Sequence, residues 1–136
     1  MAAIDSLHVR YHMNPNFIKL KPDQEIGEVI HLFNKLRIFG APVVDDLGNL
    51  IGLVSGTDCI SSALQSNFDT SWRGQVKDIM TTDVRTVDAD YSCLYVAKML
   101  LQDKYRRYPV IEKGQVVGMI GRTDVLKALE KQFGTK

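Results

Sequence analysis

The sequence predicts an α+β fold made of two β-α-β-β-α units packed sheet to sheet about a pseudo-twofold axis. Three observations carry this. "GLVSGTD", Gly52 to Asp58, returns as "GMIGRTD", Gly118 to Asp124. The hydrophobic period switches twice, in the same order, between helical and strand spacing. A unit of about 60 residues buries too little apolar surface to be stable alone, so two copies sharing a core is the physical reason for a duplication.

Setting Pro42 over Pro109 gives an offset of about 67 residues, and upstream it also pairs Met13 with Met80 and Asp23 with Asp90. Downstream the offset falls by one, because the first copy has one more residue in its turn. Each copy opens on an extended piece, "FIKLKPDQ" or "VRTVDADY". Ile26, Val29, Ile30, Phe33 and Leu36 then recur at helical spacing, matched by Cys93, Val96, Ala97 and Leu100. Asp23 and Asp90 stand before these helices, where a carboxylate can cap free N–H groups. The strands "APVV" and "YPVI" follow, each with Pro near its start, where a missing ladder donor is tolerated. Glycine-containing turns, "DDLGN" and "EKGQ", lead to the returning strands "LIGLVS" and "VVGMIG". Thr57-Asp58 and Thr123-Asp124 open the second helix of each copy. The expected organisation is residues 1–66 as the first copy with an N-terminal lead-in, 67–75 as a polar linker holding Phe68 and Trp72, and 76–136 as the second copy.

Composition narrows the function. With 136 residues, 45% hydrophobic, 24% charged and a net charge of +1, the chain has no basic field for nucleic acid and no charged tail. The N-terminal "MAAIDSLHVRYHMNP" lacks the cationic and apolar regions of a signal peptide, and no apolar run reaches the roughly 20 residues that span a bilayer. Cys59 and Cys93 both fall in helical patterns, so a disulfide framework is not expected and a cytoplasmic location is. His8 and His12 have helical metal-pair spacing but no third ligand. No GxxxxGK[ST] loop and no nucleophile–base constellation marks an enzyme.

The ordered pattern of Pro-led strand, Gly-containing hairpin, apolar strand and Ser/Thr-x-x-Asp resembles a tandem pair of CBS domains, the regulatory modules named after cystathionine β-synthase. It reads "APVVDDLGNLIGLVSGTD" and "YPVIEKGQVVGMIGRTD", and "DIMTTDVRTVDADYS" resembles the family's lead-in to a second repeat. The resemblance spans roughly residues 10–132. It implies a non-catalytic module that binds an adenosyl ligand in clefts between the repeats: AMP, ADP or ATP, and less often NAD or S-adenosylmethionine. It also implies homodimerisation, and the expected output acts through a separate protein partner or self-association.

The chemistry of Ser/Thr-x-x-Asp stands without the family. A strand end meets a helix start, so free N–H groups and the positive end of a helix dipole favour a phosphate. A carboxylate there accepts two bonds from adjacent ribose hydroxyls. The first copy has Ser55, Thr57 and Asp58; the second has Gly121, Arg122, Thr123 and Asp124, without the hydroxyl at its first position. Simple helix capping is the other role open to these aspartates, and the two roles are compatible. By family position, Ile18, Ala41 and Pro42 would line one adenine slot and Val84, Tyr108 and Pro109 the other; core packing is their alternative. Arg106 and Arg107, which face Phe39-Gly40 in the alignment of copies, would reach phosphates, with solvated surface charge as their alternative. A nucleotide-free dimerisation or interaction module is the competing function, favoured by Gly121 and by Lys19-Leu20 where the other copy has Thr86-Val87.

Overall fold

The computed structural model describes residues 7–67, 69, 73–103 and 105–134. Helices and strands alternate along the chain in a mixed α+β order. The chain separates into two compact units. The first runs from Ile18 to Val84; the second combines the segment up to Phe17 with the chain from Arg85 onward.

In the first unit, Leu20 bridges Val43 in parallel before helix α1, Ile26–Leu36. Ile26, Val29 and Phe33 turn inward from α1 as their spacing requires, while Ile30 and Leu36 stay exposed. Arg37 closes the helix in the left-handed region at φ 55°, where Ile38 N donates to Phe33 O at 3.0 Å. Strands β1, Gly40–Val44, and β2, Leu50–Ser55, form an antiparallel hairpin. Its turn is built on Asp45, whose carboxylate accepts from the amides of Leu47 and Asn49, each at 2.9 Å. Helix α2, Gly56–Gln65, and the short α3, Val76–Ile79, complete the unit. Leu20, Val29, Val43, Val54 and Val76 are wholly buried at the centre of its core.

The second unit repeats the plan. Strand β3, Val87–Asp88, pairs in parallel with β4, Arg107–Glu112, and β4 pairs antiparallel with β5, Gln115–Gly121. Helices α4, Cys93–Gln102, and α5, Arg122–Gln132, cover this sheet. The β4–β5 turn is the tighter of the two hairpins, with Lys113 and Gly114 both at positive φ, 51° and 79°. That is the one-residue difference between the copies. Both hairpins break register at the same place, Val43/Val44 and Val110/Ile111.

Three expectations change. The extended lead-in pieces form only the Leu20 bridge and the two-residue strand β3, because each makes just one parallel edge contact. Asp23 and Asp90 are not caps. Glu25 occupies the N-cap of α1 without a side-chain bond, and Ser92 caps α4 through Leu94 N at 3.0 Å. Asp90 instead pairs with Arg10 at 2.7 Å, and Arg10 also bonds Glu112. Finally, the N-terminal lead-in packs with the second copy. Leu7 and Val9 lie in the second unit's core, and Val9 N donates to Tyr91 O at 2.8 Å. Reciprocally, the segment before the second copy packs with the first, where Ile26 N donates to Gly74 O and Val76 N to Gln24 O, each at 2.9 Å. Phe68 and Trp72 lie outside the described residues.

Candidate functional site

Both candidate sites form where the hairpin's return strand becomes a helix. In the first unit Ser55 is the N-cap of α2, extended at φ −114° and ψ 165°. Its Oγ accepts from Asp58 N at 3.2 Å, and Asp58 Oδ2 accepts from Ser55 N at 2.8 Å and from Ser55 Oγ at 3.1 Å. This is a capping box, so the capping role of Asp58 is real. It uses one carboxylate oxygen. Among the described residues Oδ1 accepts no hydrogen bond, leaving it available to a pair of hydroxyls. Asp58 is half-buried and Thr57 exposed.

Sequence reasoning misses the aromatic neighbour of this junction. Gly56 N donates to Phe39 O at 2.9 Å, and any Cβ on Gly56 would collide with the Phe39 ring. Phe39 is 47% exposed, so the opening of α2 presents an aromatic, uncharged edge. Behind it, Phe33, Ile38, Cys59 and Ile60 help line a cavity of about 310 Å³ between α1 and α2. The signal for Phe39 is its pairing with glycine at position 56, legible only once strand and helix are joined.

Of the expected adenine-lining residues, Ile18 packs half-buried against the first core, and Ala41 and Pro42 are buried in β1. Pro42 O accepts from Leu20 N at 2.8 Å. These three share a unit with Ser55, Thr57 and Asp58.

In the second unit Asp124 Oδ2 accepts from Gly121 N at 2.9 Å, half of the same capping box. The glycine is there for space. Its φ of −139° suits any residue, but a Cβ would stand 2.9 Å from Arg106 O and 3.4 Å from Arg107 Cβ. Gly121→Ser therefore does not rebuild the first copy's arrangement. The expected result is a loss of about 1–2 kcal/mol in urea unfolding, with no gain in ligand affinity. Unchanged or raised stability overturns this reading.

Cations replace the aromatic edge. Arg106 and Arg122 are exposed and Arg107 is half-buried at the start of β4. Burial first, then the charges of Arg122 and Arg106, holds the Arg107 guanidinium below its ordinary pKa, with Asp124 pulling the other way. The four groups thus share one electrostatic environment, with three positive charges against one negative. Thr123 is exposed beside them. Tyr108 is different: its side chain is fully buried, and its hydroxyl donates to Asp103 Oδ2 at 3.1 Å. Burial, then Asp103, pushes its pKa up to about 12. Its ring is a core group, so any ligand contact there belongs to its backbone. Pro109 is buried beside it, whereas Val84 ends the first unit and is not grouped with Tyr108 and Pro109.

No helix among the described residues is long and apolar enough to cross a membrane. The family model for the CBS domain matches the chain twice, over residues 8–64 and 76–131. An uncharacterized protein of Methanocaldococcus jannaschii, MJ1225, is 33% identical over 129 residues. The match covers 95% of this chain and 45% of that protein, so this chain spans less than half its relative's length. Among solved structures, CBSX2 in complex with AMP superposes with a TM-score of 0.80 at 28% identity, covering 91% of this chain and 96% of that one. The CBS-pair protein CBSX2 from Arabidopsis thaliana gives a TM-score of 0.82 at 26% identity, covering 95% and 98%. The two matched segments, the twice-repeated strand–helix junction and these superpositions lead to one conclusion: the chain belongs to the CBS domain family and carries a tandem pair of its repeats.

Proposed function

We propose that this chain is a non-catalytic regulatory module that binds an adenosyl ligand, with AMP, ADP or ATP ahead of NAD or S-adenosylmethionine. The observation that carries it is Asp58, fixed by Ser55 through one oxygen and presenting the other at a strand–helix junction. A relative at 28% identity, CBSX2, has been solved with AMP, which supports the same ligand class here. The first-copy junction, with Phe39 and Asp58, suits ribose and base; the second, with Arg106, Arg107 and Arg122, suits phosphate. Binding changes output only if the ligand prefers one of two arrangements, which an unidentified protein partner then reads in the cytoplasm.

Homodimerisation belongs to the same proposal. Ile60 and Leu64 on α2 are 59% and 60% exposed, and Leu94 and Leu126 on α4 and α5 are 51% and 66% exposed. These apolar helix faces also favour the second reading, a nucleotide-free interaction module.

Calorimetric titration with AMP, ADP, ATP, NAD and S-adenosylmethionine separates the two. Binding by one or two of them is expected, and the stoichiometry reports whether the Gly121 junction contributes a site. Silence from all five overturns the ligand-sensing reading in favour of the interaction module.

A further inference from the structure

The duplicated methionines, Met13 and Met80, have no part in the ligand-sensing reading, and their role is independent of it. Each lies across a glycine of the return strand in its own unit. A Cβ on Gly52 would stand 2.5 Å from Met80 Sδ, and one on Gly118 would stand 2.6 Å from Met13 Sδ. The sulfur therefore occupies space that only a glycine leaves open. In both units the next residue closes a two-bond bridge to the residue after that glycine. Thr81 and Leu53 exchange bonds of 2.9 Å each; Asn14 and Met119 exchange bonds of 2.8 and 3.0 Å. The same short strap has thus been kept twice, at equivalent places.

Immediately beyond each strap the chain leaves for the other unit. Residues 14–17 lead to Ile18, and residues 81–84 lead to Arg85. The two methionines hold the roots of the two crossovers.

As whole residues they are also the more exposed methionines among the described residues. Met13 and Met80 are half-buried, whereas Met99 and Met119 are only 4% and 8% exposed. Cys59 and Cys93 do not compete: both are buried, and burial pushes each thiol up to about 11, so little thiolate exists at neutral pH.

We propose that Met13 and Met80 are paired, reversible oxidation sites that release the crossover straps. Hydrogen peroxide transfers one oxygen atom to Sδ: the O–O bond breaks, the S–O bond forms, the sulfur loses two electrons, and water leaves. The sulfoxide is polar and larger than the thioether, and it no longer fits flat against Gly52 or Gly118. A dithiol-driven methionine sulfoxide reductase reverses the step, taking the oxygen as water while the dithiol becomes a disulfide.

The test is graded peroxide treatment of the whole chain, followed by peptide mass spectrometry and amide hydrogen exchange. Met13 and Met80 are expected to gain one oxygen each before Met99 or Met119. In the doubly oxidised protein the amides of Asn14, Leu53, Thr81 and Met119 lose protection about tenfold or more, and the reductase restores it. Equal oxidation of Met99 or Met119, or unchanged protection after oxidation of both straps, overturns the proposal. The Met13→Leu/Met80→Leu variant keeps the apolar strap without the sulfur, and peroxide should leave its exchange pattern unchanged. Loss of protection in that variant on peroxide treatment would overturn the assignment too. Should it not fold, the wild-type measurement decides alone.

Discussion

Asp58→Ala is expected to weaken binding of the adenosyl ligand by roughly 30- to 150-fold, the equivalent of about 2–3 kcal/mol for two charge-assisted hydrogen bonds. The physical basis is the division of labour within one carboxylate. Oδ2 is committed to Ser55 N and Ser55 Oγ, while Oδ1 remains open to ribose hydroxyls. The same substitution removes a helix cap, which costs about 0.5–2 kcal/mol of stability. Titration must therefore be paired with a denaturation curve showing that the variant is folded at the measuring temperature. Ser55→Ala separates the contributions, because it disturbs the cap while leaving the carboxylate. An affinity unchanged by Asp58→Ala in a folded variant would remove Asp58 from the site.

The second large effect concerns stability. Tyr108→Ala should lower the free energy of unfolding by about 3–5 kcal/mol, read by urea denaturation. Among the described residues Tyr108 is the largest wholly buried side chain, surrounded by a core that includes Val87, Val96 and Ile120. Its hydroxyl reaches Asp103, which also accepts from Arg85 Nη1 at 2.8 Å. Tyr108→Phe keeps the ring and removes one hydrogen bond, with an expected cost of about 0.5–1.5 kcal/mol. Ligand affinity should be the same in Tyr108→Phe and the wild type, since only the backbone of this residue is available to a ligand. A loss of less than about 1 kcal/mol in Tyr108→Ala would contradict the core placement.

What was legible in the sequence was local or repeated. The hairpins were readable because Pro, Gly and alternating apolar residues act within ten positions of one another, and because each signal occurred twice. The Ser55–Asp58 and Gly121–Asp124 junctions were readable for the same reason. The exchange of lead-in segments was not, because a bond such as Val9 N to Tyr91 O joins residues far apart along the chain and leaves no periodic trace. Asp90 shows how a local rule loses to a distant one. It stands where a cap belongs, yet Arg10, brought in by the exchanged lead-in, takes its carboxylate while Ser92 does the capping. Phe39 was hidden differently. Its importance comes from a glycine in the next helix, so it emerges only from the pairing of Gly40 with Ser55.

The exchanged lead-ins also set an order of events during synthesis. The first unit is one continuous stretch, Ile18 to Val84, so all of its core residues have left the ribosome once Val84 has. The second unit is not continuous. Leu7 and Val9 emerge first but must wait for Tyr108, Ile120 and Val125, and at ordinary elongation rates the interval is roughly 5–20 s. During that time the stretch from Ile18 to Val84 is the single covalent link between the two halves of the second unit, and its length limits how far the early segment can stray before its partners arrive.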